Sequence, residues 1–288
     1  YIKSMIIWIA SYPKSGNTWI RSLIGSYFFS KDGIFNFKVL KNIEQFSPII
    51  PSSVLNEKTH YQSKVSKSWI PSQKIINKEK KIRFMKTHNA MCAINGNKFT
   101  DRLNTLAVIY VVRDPRNILS SISHHYEMSQ NEALEFITNK RKIIYPIKQG
   151  TINESSQTDF NFLSDWSTHY NSWKNIGFCP IQIIKYEDIL TNNKKTFVSM
   201  LDFLSKFFKF QYDKKKIQNS LLSTSFEKLS SLEKKYGFDE SAYSKNNKKK
   251  IKFFNLGKEN KWKKVLNKSV AKNLENVFNK EMRELGYL

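Results

Sequence analysis

Short apolar runs alternate with helical patterns along the 288 residues of the chain. Four runs have the length of a strand and no helical period, at residues 5–10, 81–86, 106–112 and 181–186. Runs that are apolar on both faces are typical of buried parallel strands. Helical patterns lie between and after them, at residues 17–29, 115–128, 159–175, 194–208, 213–235 and 268–285. The alternation predicts an α/β fold in which a parallel sheet, flanked by helices, forms the middle of three layers.

The domain organisation follows from what separates these elements. No internal repeat and no linker-like composition interrupts the chain, so residues 1–288 are predicted to form one domain. Residues 30–80 and 129–158 show no clear period, and we expect irregular insertions there that face a substrate. The lysine-rich stretch at 244–252 predicts a solvated loop.

The chain carries a large excess of basic residues. Lys and Arg number 48 against 24 Asp and Glu, which gives a formal net charge of +24. Such an excess favours anionic partners, among them nucleic acid, acidic membranes, polyanionic glycans and phosphorylated small molecules. The chain is also rich in Asn and Ile, a composition typical of an AT-biased genome, which raises the lysine content without any functional need. The charge is therefore consistent with an anionic ligand and does not identify one.

The composition also bears on the compartment. No stretch reaches the roughly 18 apolar residues of a membrane span, and the first residues lack the ordered regions of a signal peptide. Cys92 and Cys179 are too few for a disulfide framework, and neither lies in a metal-like context. These features predict a cytoplasmic protein without a metal site.

The apolar run at 5–10 leads into S-Y-P-K-S-G-N-T at residues 11–18, just before a predicted helix. A loop in this position can hold an anion with its backbone N–H groups at the helix N-terminus. Compared with the G-x-x-x-x-G-K-[ST] pattern of nucleoside triphosphatases, Asn17 replaces the lysine and Thr18 keeps the hydroxyl. A magnesium-assisted grip on β- and γ-phosphates is therefore disfavoured, and Lys14 would meet whatever group is attached to the bound phosphate. An ordinary turn between strand and helix is the alternative.

The sequence Y-P-K-S-G-N-T-W at residues 12–19 closely resembles the phosphosulfate-binding loop of PAPS-dependent sulfotransferases. PAPS, 3′-phosphoadenosine 5′-phosphosulfate, is the activated sulfate donor of that family. The resemblance implies a P-loop-like sulfotransferase fold, in which Lys14 contacts the leaving-group oxygen and Trp19 packs on the adenine. It also implies that the 5′-phosphosulfate is held by the loop residues Lys14, Ser15, Gly16, Asn17 and Thr18.

A second strand–turn–helix pattern places Arg113 at a strand end and Ser121 two turns into the helix that begins near Pro115. A guanidinium binds oxyanions through two parallel hydrogen bonds, so this pair suits an additional phosphate. On spacing alone, a surface pair of Arg113 with Asp114 is an equal alternative. The stretch resembles the 3′-phosphate motif of the same family, whose arginine and serine match Arg113 and Ser121. The 3′-phosphate is what distinguishes PAPS from ADP-like nucleotides.

Transfer of a sulfuryl group to a hydroxyl needs a base, together with cations that stabilise charge on the leaving phosphate. Histidine suits the first task near neutral pH. The chain has five histidines, which are His60, His88, His124, His125 and His169. The K-T-H sequence at residues 86–88 resembles the family's base motif. The resemblance implies that His88 is the general base and Lys86 a charge stabiliser, with in-line attack on sulfur and no metal or covalent enzyme intermediate. His124 and His125 are expected to be structural or near the substrate.

Three short stretches resemble the parts of the family that contact the adenine and cover the 3′-phosphate. The stretch I-I-K-Y-E-D at 183–188 implies a strand that places Tyr186 at the adenine, and S-T-S-F at 223–226 implies that Thr224 and Phe226 flank it. The stretch N-L-G-K-E-N-K-W at 255–262 departs from the family's R-K-G-x-x-G-x-W. It keeps Gly257 and Trp262, but Asn255, Leu256 and Asn260 replace the arginine, the lysine and the second glycine. We expect weaker side-chain clamping there, with backbone groups near Gly257 and the side chain of Lys258 or of a lysine in 248–252 as substitutes.

Taken together, these features predict a sulfotransferase that moves a sulfuryl group from PAPS to a hydroxyl or amine. A small molecule, a glycan or a lipid is the expected acceptor, and nucleic acid is not expected as a partner. A P-loop kinase-like phosphotransferase is one alternative, disfavoured by Asn17 and by the lack of a clear magnesium carboxylate. A non-catalytic binder of nucleic acid or another polyanion is the other. The sequence leaves the acceptor's identity and the oligomeric state open.

Overall fold

A computed structural model of the protein describes residues 5–57, 59–145, 159–244, 246–257 and 260–288. Lys258 and the second half of the predicted insertion at 129–158 lie outside the described residues. The chain divides into two compact units. The first unit comprises Tyr1–Tyr12, Glu44–Tyr110 and Lys140–Ile183, and the second comprises Pro13–Ile43, Val111–Asn139 and Ile184–Leu288. That the whole chain forms one domain stays a prediction.

The strands and helices of the described residues largely follow the predicted alternation. The strands are β1 (Ile6–Ser11), β2 (Arg83–Thr87), β3 (Ala93–Ile94), β4 (Asn97–Lys98), β5 (Thr105–Val112), β6 (Ile143–Ile144), β7 (Asn161–Phe162) and β8 (Ile181–Lys185). The helices are α1 (Asn17–Phe29), α2 (Ser52–Leu55), α3 (Tyr61–Lys78), α4 (Pro115–Tyr126), α5 (Gln130–Thr138), α6 (Trp166–Lys174), α7 (Tyr186–Ser205), α8 (Lys214–Ser223), α9 (Phe226–Tyr236), α10 (Trp262–Val265), α11 (Lys268–Val277) and α12 (Asn279–Glu284). Within the described residues, no helix has the length and apolarity that crossing a membrane requires.

The main sheet has the strand order β2–β1–β5–β8. Strands β1 and β2 are parallel, with Ile6 opposite Arg83 and Ala10 opposite Thr87. Every residue of β1 is buried, which explains why its sequence is apolar on both faces. Because the two strands are in parallel register, the residue that ends β1 and the residue that follows β2 emerge at the same edge of the sheet.

An aromatic core in the first unit fixes β1. The Trp8 ring lies 5.2 Å from the Phe99 ring and 5.4 Å from the Phe46 ring, and all three side chains are buried. The Trp8 indole N–H donates a hydrogen bond to Thr105 Oγ1 at 2.9 Å, so its one polar atom is satisfied inside the core. The end of β1, which precedes the predicted anion-binding loop, is thus part of a packed core.

The prediction of irregular structure over 30–80 is wrong, because α3 occupies 18 of those residues. Val65, Trp69 and Gln73 recur at four-residue intervals and are buried, so the helix has a face that packs in the first unit. Pro71 lies inside the helix, and the serines around it obscure the apolar period. The prediction for 129–158 is wrong in its first part, since α5 is a regular helix with a capping box formed by Ser129 and Glu132.

The second unit contains α1, α4, α5, α7 to α12 and a 3₁₀ turn over Phe37–Asn42. Helix α1 has the bounds that the sequence predicts. Helix α4 begins as predicted at Pro115, with the Asp114 carboxylate accepting a hydrogen bond from the Arg116 N–H at 2.9 Å.

Four predicted helices have different bounds. The predicted 159–175 helix is preceded by β7 and begins only at α6, and the 194–208 helix starts earlier, at Tyr186. The predicted 213–235 helix is two helices, because Ser225 starts α9 by capping the Lys228 N–H. The predicted 268–285 helix likewise divides into α11 and α12. One core cluster of this unit is apolar and consists of Phe35, Val39, Leu40, Leu229, Phe238 and Phe254.

Candidate active site

The loop at residues 13–16 enters α1 through two residues with positive φ. Lys14 has φ 66° and Gly16 has φ 104°. A Cβ on Gly16 would lie 2.5 Å from Tyr186 Cδ2, so only glycine fits this position. No side chain caps the N-terminus of α1, and its first turn has no acidic residue. The positive end of the α1 dipole is therefore available to an anion.

Arg113 connects this loop to α4. Its Nη1 donates hydrogen bonds to the Lys14 carbonyl at 3.0 Å and to Ser121 Oγ at 3.4 Å, and its guanidinium lies 4.1 Å from the centre of the Tyr186 ring. The two predicted anion motifs therefore meet within the second unit. Because Arg113 is only 6% exposed, its charge is largely shielded from water.

Two buried hydrogen-bond donors, one in the loop before α1 and one on the residue that contacts this loop, have no hydrogen-bond partner among the described residues. They are Ser15 Oγ and Arg113 Nε. Buried polar groups are nearly always paired, and an unpaired one indicates a functional role or a missing ligand. Both atoms are donors that an oxyanion would satisfy, so these residues fit a bound phosphate group.

The predicted adenine contacts differ in their surroundings. Trp19 is half-buried, its ring lies 5.7 Å from the Tyr186 ring at 67°, and it packs against the apolar cluster of the second unit together with Phe226. Tyr186 is the first residue of α7, so the prediction that it lies on the strand is wrong. Gly257 lies against the face of the Phe226 ring, since a Cβ there would be 2.7 Å from three ring atoms.

Two predicted ligand hydroxyls donate to protein acceptors. Thr224 Oγ1 is buried and donates to the Ser220 carbonyl at 2.7 Å. Thr18 Oγ1 donates to Glu240 Oε2 at 3.1 Å, and Glu240 also forms an ion pair with Arg21. Glu240 lies 222 residues from Thr18 along the chain, and sequence reasoning missed it because no motif includes it.

The C-terminal segment docks on α4 despite its departures from the family pattern. The Trp262 ring lies 4.0 Å from the Arg116 guanidinium, and the Trp262 N–H donates to Asn117 Oδ1 at 2.9 Å. Asn260, which replaces the second glycine of the pattern, hydrogen-bonds Ser121. This hydrogen bond between Asn260 and Ser121 was not predicted from the sequence.

Lys14 contacts a residue near this segment. Its Nζ lies 3.8 Å from the centre of the Phe253 ring, a distance typical of a cation–π interaction. An ammonium on an aromatic face keeps its charge while its solvation is reduced.

His88 and Lys86 belong to the first unit. Lys86 is a β2 residue, 8% exposed, whose backbone N–H donates to the Glu44 carbonyl and whose carbonyl accepts from the Phe46 N–H, both at 2.9 Å. His88 Nδ1 lies 2.7 Å from the Ser11 carbonyl oxygen. A carbonyl only accepts, so Nδ1 carries the hydrogen and the lone pair of the neutral ring is on Nε2. Only the parallel register of β1 and β2 shows that the Ser11 carbonyl meets His88.

The backbone of residues 88–91 is held by β7 and α6. The contacts are His88 N–H to Asn161 Oδ1 at 3.3 Å, His169 Nε2 to the His88 carbonyl at 3.1 Å, Trp173 Nε1 to the Asn89 carbonyl at 2.8 Å, Ala90 N–H to the Phe162 carbonyl at 2.8 Å, and Met91 N–H to Ser172 Oγ at 2.9 Å. Helix α6 supplies three of these contacts from positions 169, 172 and 173, which lie on one helical face. The loop that carries His88 is therefore tightly positioned.

His169 is a neutral member of this set. Burial lowers its pKa to about 4, although the hydrogen bond to the His88 carbonyl opposes that shift. Its Nε2 is the donor to that carbonyl, and its Nδ1 accepts from the Tyr110 hydroxyl at 2.8 Å. His169 thus holds the His88 backbone without carrying charge.

Comparison with known proteins identifies the class of protein that these features define. The profile of the sulfotransferase domain family matches residues 5–286. The chain belongs to this family, which confirms the resemblance inferred from the sequence.

Individual relatives are distant. The chain is 25% identical over 225 residues to rat "Sulfotransferase 1C2", a match that covers 77% of this chain and 64% of that protein. The match thus spans less than two thirds of the relative's length.

Two solved structures have a similar fold. One is the mouse sulfotransferase SULT7A1 complexed with PAP, at 17% identity and a TM-score of 0.53, over 98% of this chain and 86% of that one. The other is retinol dehydratase in complex with androsterone and the inactive cofactor PAP, at 16% identity and a TM-score of 0.58, over 96% and 80% of the two chains. They confirm the predicted α/β fold, with its central parallel sheet flanked by helices.

Proposed function

We propose that this protein is a sulfotransferase that transfers the sulfuryl group of PAPS to a hydroxyl or amine of a small-molecule, glycan or lipid acceptor. Family membership supports the reaction class. The observation that carries the donor assignment is the pair of buried donors without partners among the described residues, Ser15 Oγ and Arg113 Nε, beside the uncapped N-terminus of α1. A cytoplasmic location is part of the proposal, since Cys92 and Cys179 are both free thiols.

The residues around the N-terminus of α1 would hold the donor. The α1 N-terminus and Ser15 are suited to the 5′-phosphosulfate, and Arg113 with Ser121 to the 3′-phosphate. Trp19, Tyr186 and Phe226 supply aromatic faces of the kind that a planar base prefers. Asn17 and Thr18 stay predicted ligands, although the Thr18 hydroxyl already has an acceptor in Glu240. PAPS supplies an electrophilic sulfur and a phosphate leaving group.

His88 would supply the base. Nε2 of His88 accepts the proton of the attacking hydroxyl as the new O–S bond forms and the S–O bond to phosphate breaks. The Ser11 carbonyl holds the Nδ1–H tautomer, so Nε2 keeps its lone pair for this step. The ammonium groups of Lys14 and Lys86 stabilise the negative charge that develops on the leaving phosphate.

The test is binding followed by turnover. We expect the protein to bind adenosine 3′,5′-bisphosphate in a calorimetric titration without a metal ion, and to transfer label from ³⁵S-PAPS to at least one member of a panel of alcohols, amines, sugars and lipids. A preference for ATP with magnesium would contradict the proposal in favour of a phosphotransferase. Salt-sensitive DNA binding with no bisphosphate binding would contradict it in favour of a polyanion binder.

His88→Asn tests the base. The asparagine amide can still donate to the Ser11 carbonyl, as Nδ1 does, but it has no basic nitrogen. We expect single-turnover rates to fall by about 10²- to 10⁴-fold with the best acceptor, while bisphosphate affinity stays within about twofold because His88 is not a proposed donor ligand. Near-normal turnover would remove His88 from the mechanism.

A further inference from the structure

Asn260 has its side chain in a hydrogen-bonded position on α4. It is 8% exposed. Its Nδ2 lies 3.0 Å from the Asn117 carbonyl and 3.0 Å from Ser121 Oγ, and its Oδ1 accepts from Ser120 Oγ at 2.6 Å. The three polar contacts of the Asn260 side chain therefore include the serine proposed to bind the 3′-phosphate.

The orientation of the Asn260 amide follows from its neighbours. The Asn117 carbonyl can only accept a hydrogen bond, so the NH₂ group of Asn260 must face it. The same NH₂ group then faces Ser121 Oγ. Asn260 is thus a hydrogen-bond donor to the serine and not an acceptor from it.

Only the hydrogen of the Ser121 hydroxyl is consequently left to form a further hydrogen bond. Its oxygen accepts from Asn260 Nδ2 and from Arg113 Nη1, and neither of these groups can accept a hydrogen bond. A hydroxyl has two lone pairs and one hydrogen, so both lone pairs are used. No acceptor for the Ser121 hydrogen lies among the described residues, and that hydrogen is available to an incoming anion.

We propose that Asn260 is a positioning residue that turns the Ser121 hydroxyl into an obligatory donor and thereby selects nucleotides with a 3′-phosphate. The inference rests on the proposed function, because it takes the 3′-phosphate of PAPS as the ligand of Ser121. Glycine, which stands at this position in the family pattern, has no side chain with which to do this. Asn260 therefore offers a replacement for part of the side-chain clamp that Asn255 and Leu256 do not supply.

Asn260→Asp is the test. The two side chains have the same shape, but a carboxylate accepts where the amide donates. The Ser121 hydrogen would turn to the carboxylate, and the carboxylate would repel the phosphate. We measure dissociation constants for adenosine 3′,5′-bisphosphate and for adenosine 5′-monophosphate by calorimetry, using the full chain. We expect the bisphosphate to bind about tenfold or more weakly, the loss expected for a hydrogen bond to a charged group, while monophosphate binding changes by about twofold or less.

Asn279→Asp is the charge-matched control. Asn279 accepts from Arg283 Nε through Oδ1, a role that aspartate keeps, so neither affinity is expected to change. A double-mutant cycle adds a second measurement that does not depend on the carboxylate. Asn260→Ala should lower bisphosphate affinity in the wild type and have no further effect when Ser121 is already alanine, since Asn260 acts through that hydroxyl.

The outcomes separate the inference from the function on which it rests. An equal loss of affinity for both nucleotides in Asn260→Asp would overturn the role of Asn260 while leaving the proposed function intact. An unchanged preference for the bisphosphate would do the same. If Asn260→Asp fails to fold, the alanine cycle decides by the same criterion. Wild-type protein that binds neither nucleotide would overturn the proposed function and the role of Asn260 together.

Discussion

Two loops of this protein follow neighbouring strands and differ in whether their polar groups have hydrogen-bond partners. Residues 88–91, after β2, have five of their backbone N–H and carbonyl groups hydrogen-bonded to β7 and α6. Residues 13–16, after β1, contain the buried Ser15 hydroxyl without a partner among the described residues, and Arg113 beside them has an Nε in the same state. Protein hydrogen bonds hold the first loop in place. The second loop region contains buried donors without a partner among the described residues.

The difference suits the two tasks that we propose. A general base acts on a proton over a fraction of an ångström, so holding its loop in place in advance lowers the cost of reaching the reactive geometry. An anion receptor must instead keep donors that water or protein does not satisfy, at some expense in the stability of the ligand-free protein. Substitutions in the first loop should therefore change turnover and stability, and substitutions in the second should change affinity.

Arg113→Lys should have the largest effect on the second loop. Lysine has no Nε–H and no planar group to lie on Tyr186, so it loses both the unpaired donor and the contact with the ring. We expect the affinity for adenosine 3′,5′-bisphosphate, measured by calorimetry, to fall by about 10- to 150-fold. Arg102→Lys, at an exposed position, is the matched control. Equal affinities of the two variants would contradict the role of Arg113.

Substitution of His169, which holds the first loop, should have a somewhat smaller effect. Its effect on the free energy of unfolding should depend on pH. Its pKa is about 4 in the folded protein, against 6.5 for an ordinary histidine. The unfolded chain therefore binds more protons between these values, so the stabilising effect of neutral His169 is complete above pH 6.5 and is lost as the pH falls toward 4. We expect a loss of about 1.5 kcal/mol between pH 6.5 and about pH 5, measured by urea unfolding relative to His169→Gln, whose amide does not titrate.

The reference variant is essential because Asp159 acts in the opposite direction. Burial raises the pKa of Asp159 to about 7, so this carboxyl favours folding as the pH falls through the same range. Both proteins contain Asp159, and the difference between them isolates His169.

Turnover gives a second readout, since His169→Gln can still donate to the His88 carbonyl and His169→Phe cannot. Equal turnover of these two variants would show that the contact with His88 has no role in positioning the base.

Ser15→Ala should give the smallest effect, and one of opposite sign for stability and binding. Removing an unpaired buried hydroxyl should raise the stability of the ligand-free protein by about 1 kcal/mol and weaken bisphosphate binding by about fivefold. Ser22→Ala is the control, because the buried Ser22 hydroxyl donates to the Thr18 carbonyl at 2.8 Å. Thermal unfolding with and without the bisphosphate measures both quantities. A loss of ligand-free stability as large as that of Ser22→Ala would contradict the unpaired state of Ser15.

The sequence by itself determined the elements whose signals are local. Strands β1 and β5 could be predicted because burial on both faces requires continuous apolar runs. Helices α1 and α4 could be predicted because a glycine loop and the Asp114–Pro115 pair mark where a helix begins. Helix α3 was missed because Pro71 and neighbouring serines interrupt its period, and the end of α8 was missed because a single cap, Ser225, divides a continuous helical pattern. The proposed functional residues with local motifs, such as Lys14, His88 and Arg113, were identified on the same basis.

Only the tertiary structure decided which polar groups pair. Ser11 meets His88 across 77 residues, His169 meets the His88 carbonyl across 81, Asn260 meets Ser121 across 139, and Thr18 meets Glu240 across 222. No local pattern encodes such contacts, because they depend on strand order and on how loops return to the core, which are set by packing over the whole chain. A residue type and its spacing predict the chemistry that a side chain can perform, but its hydrogen-bond partners fix the tautomer of His88 and the donor role of Ser121.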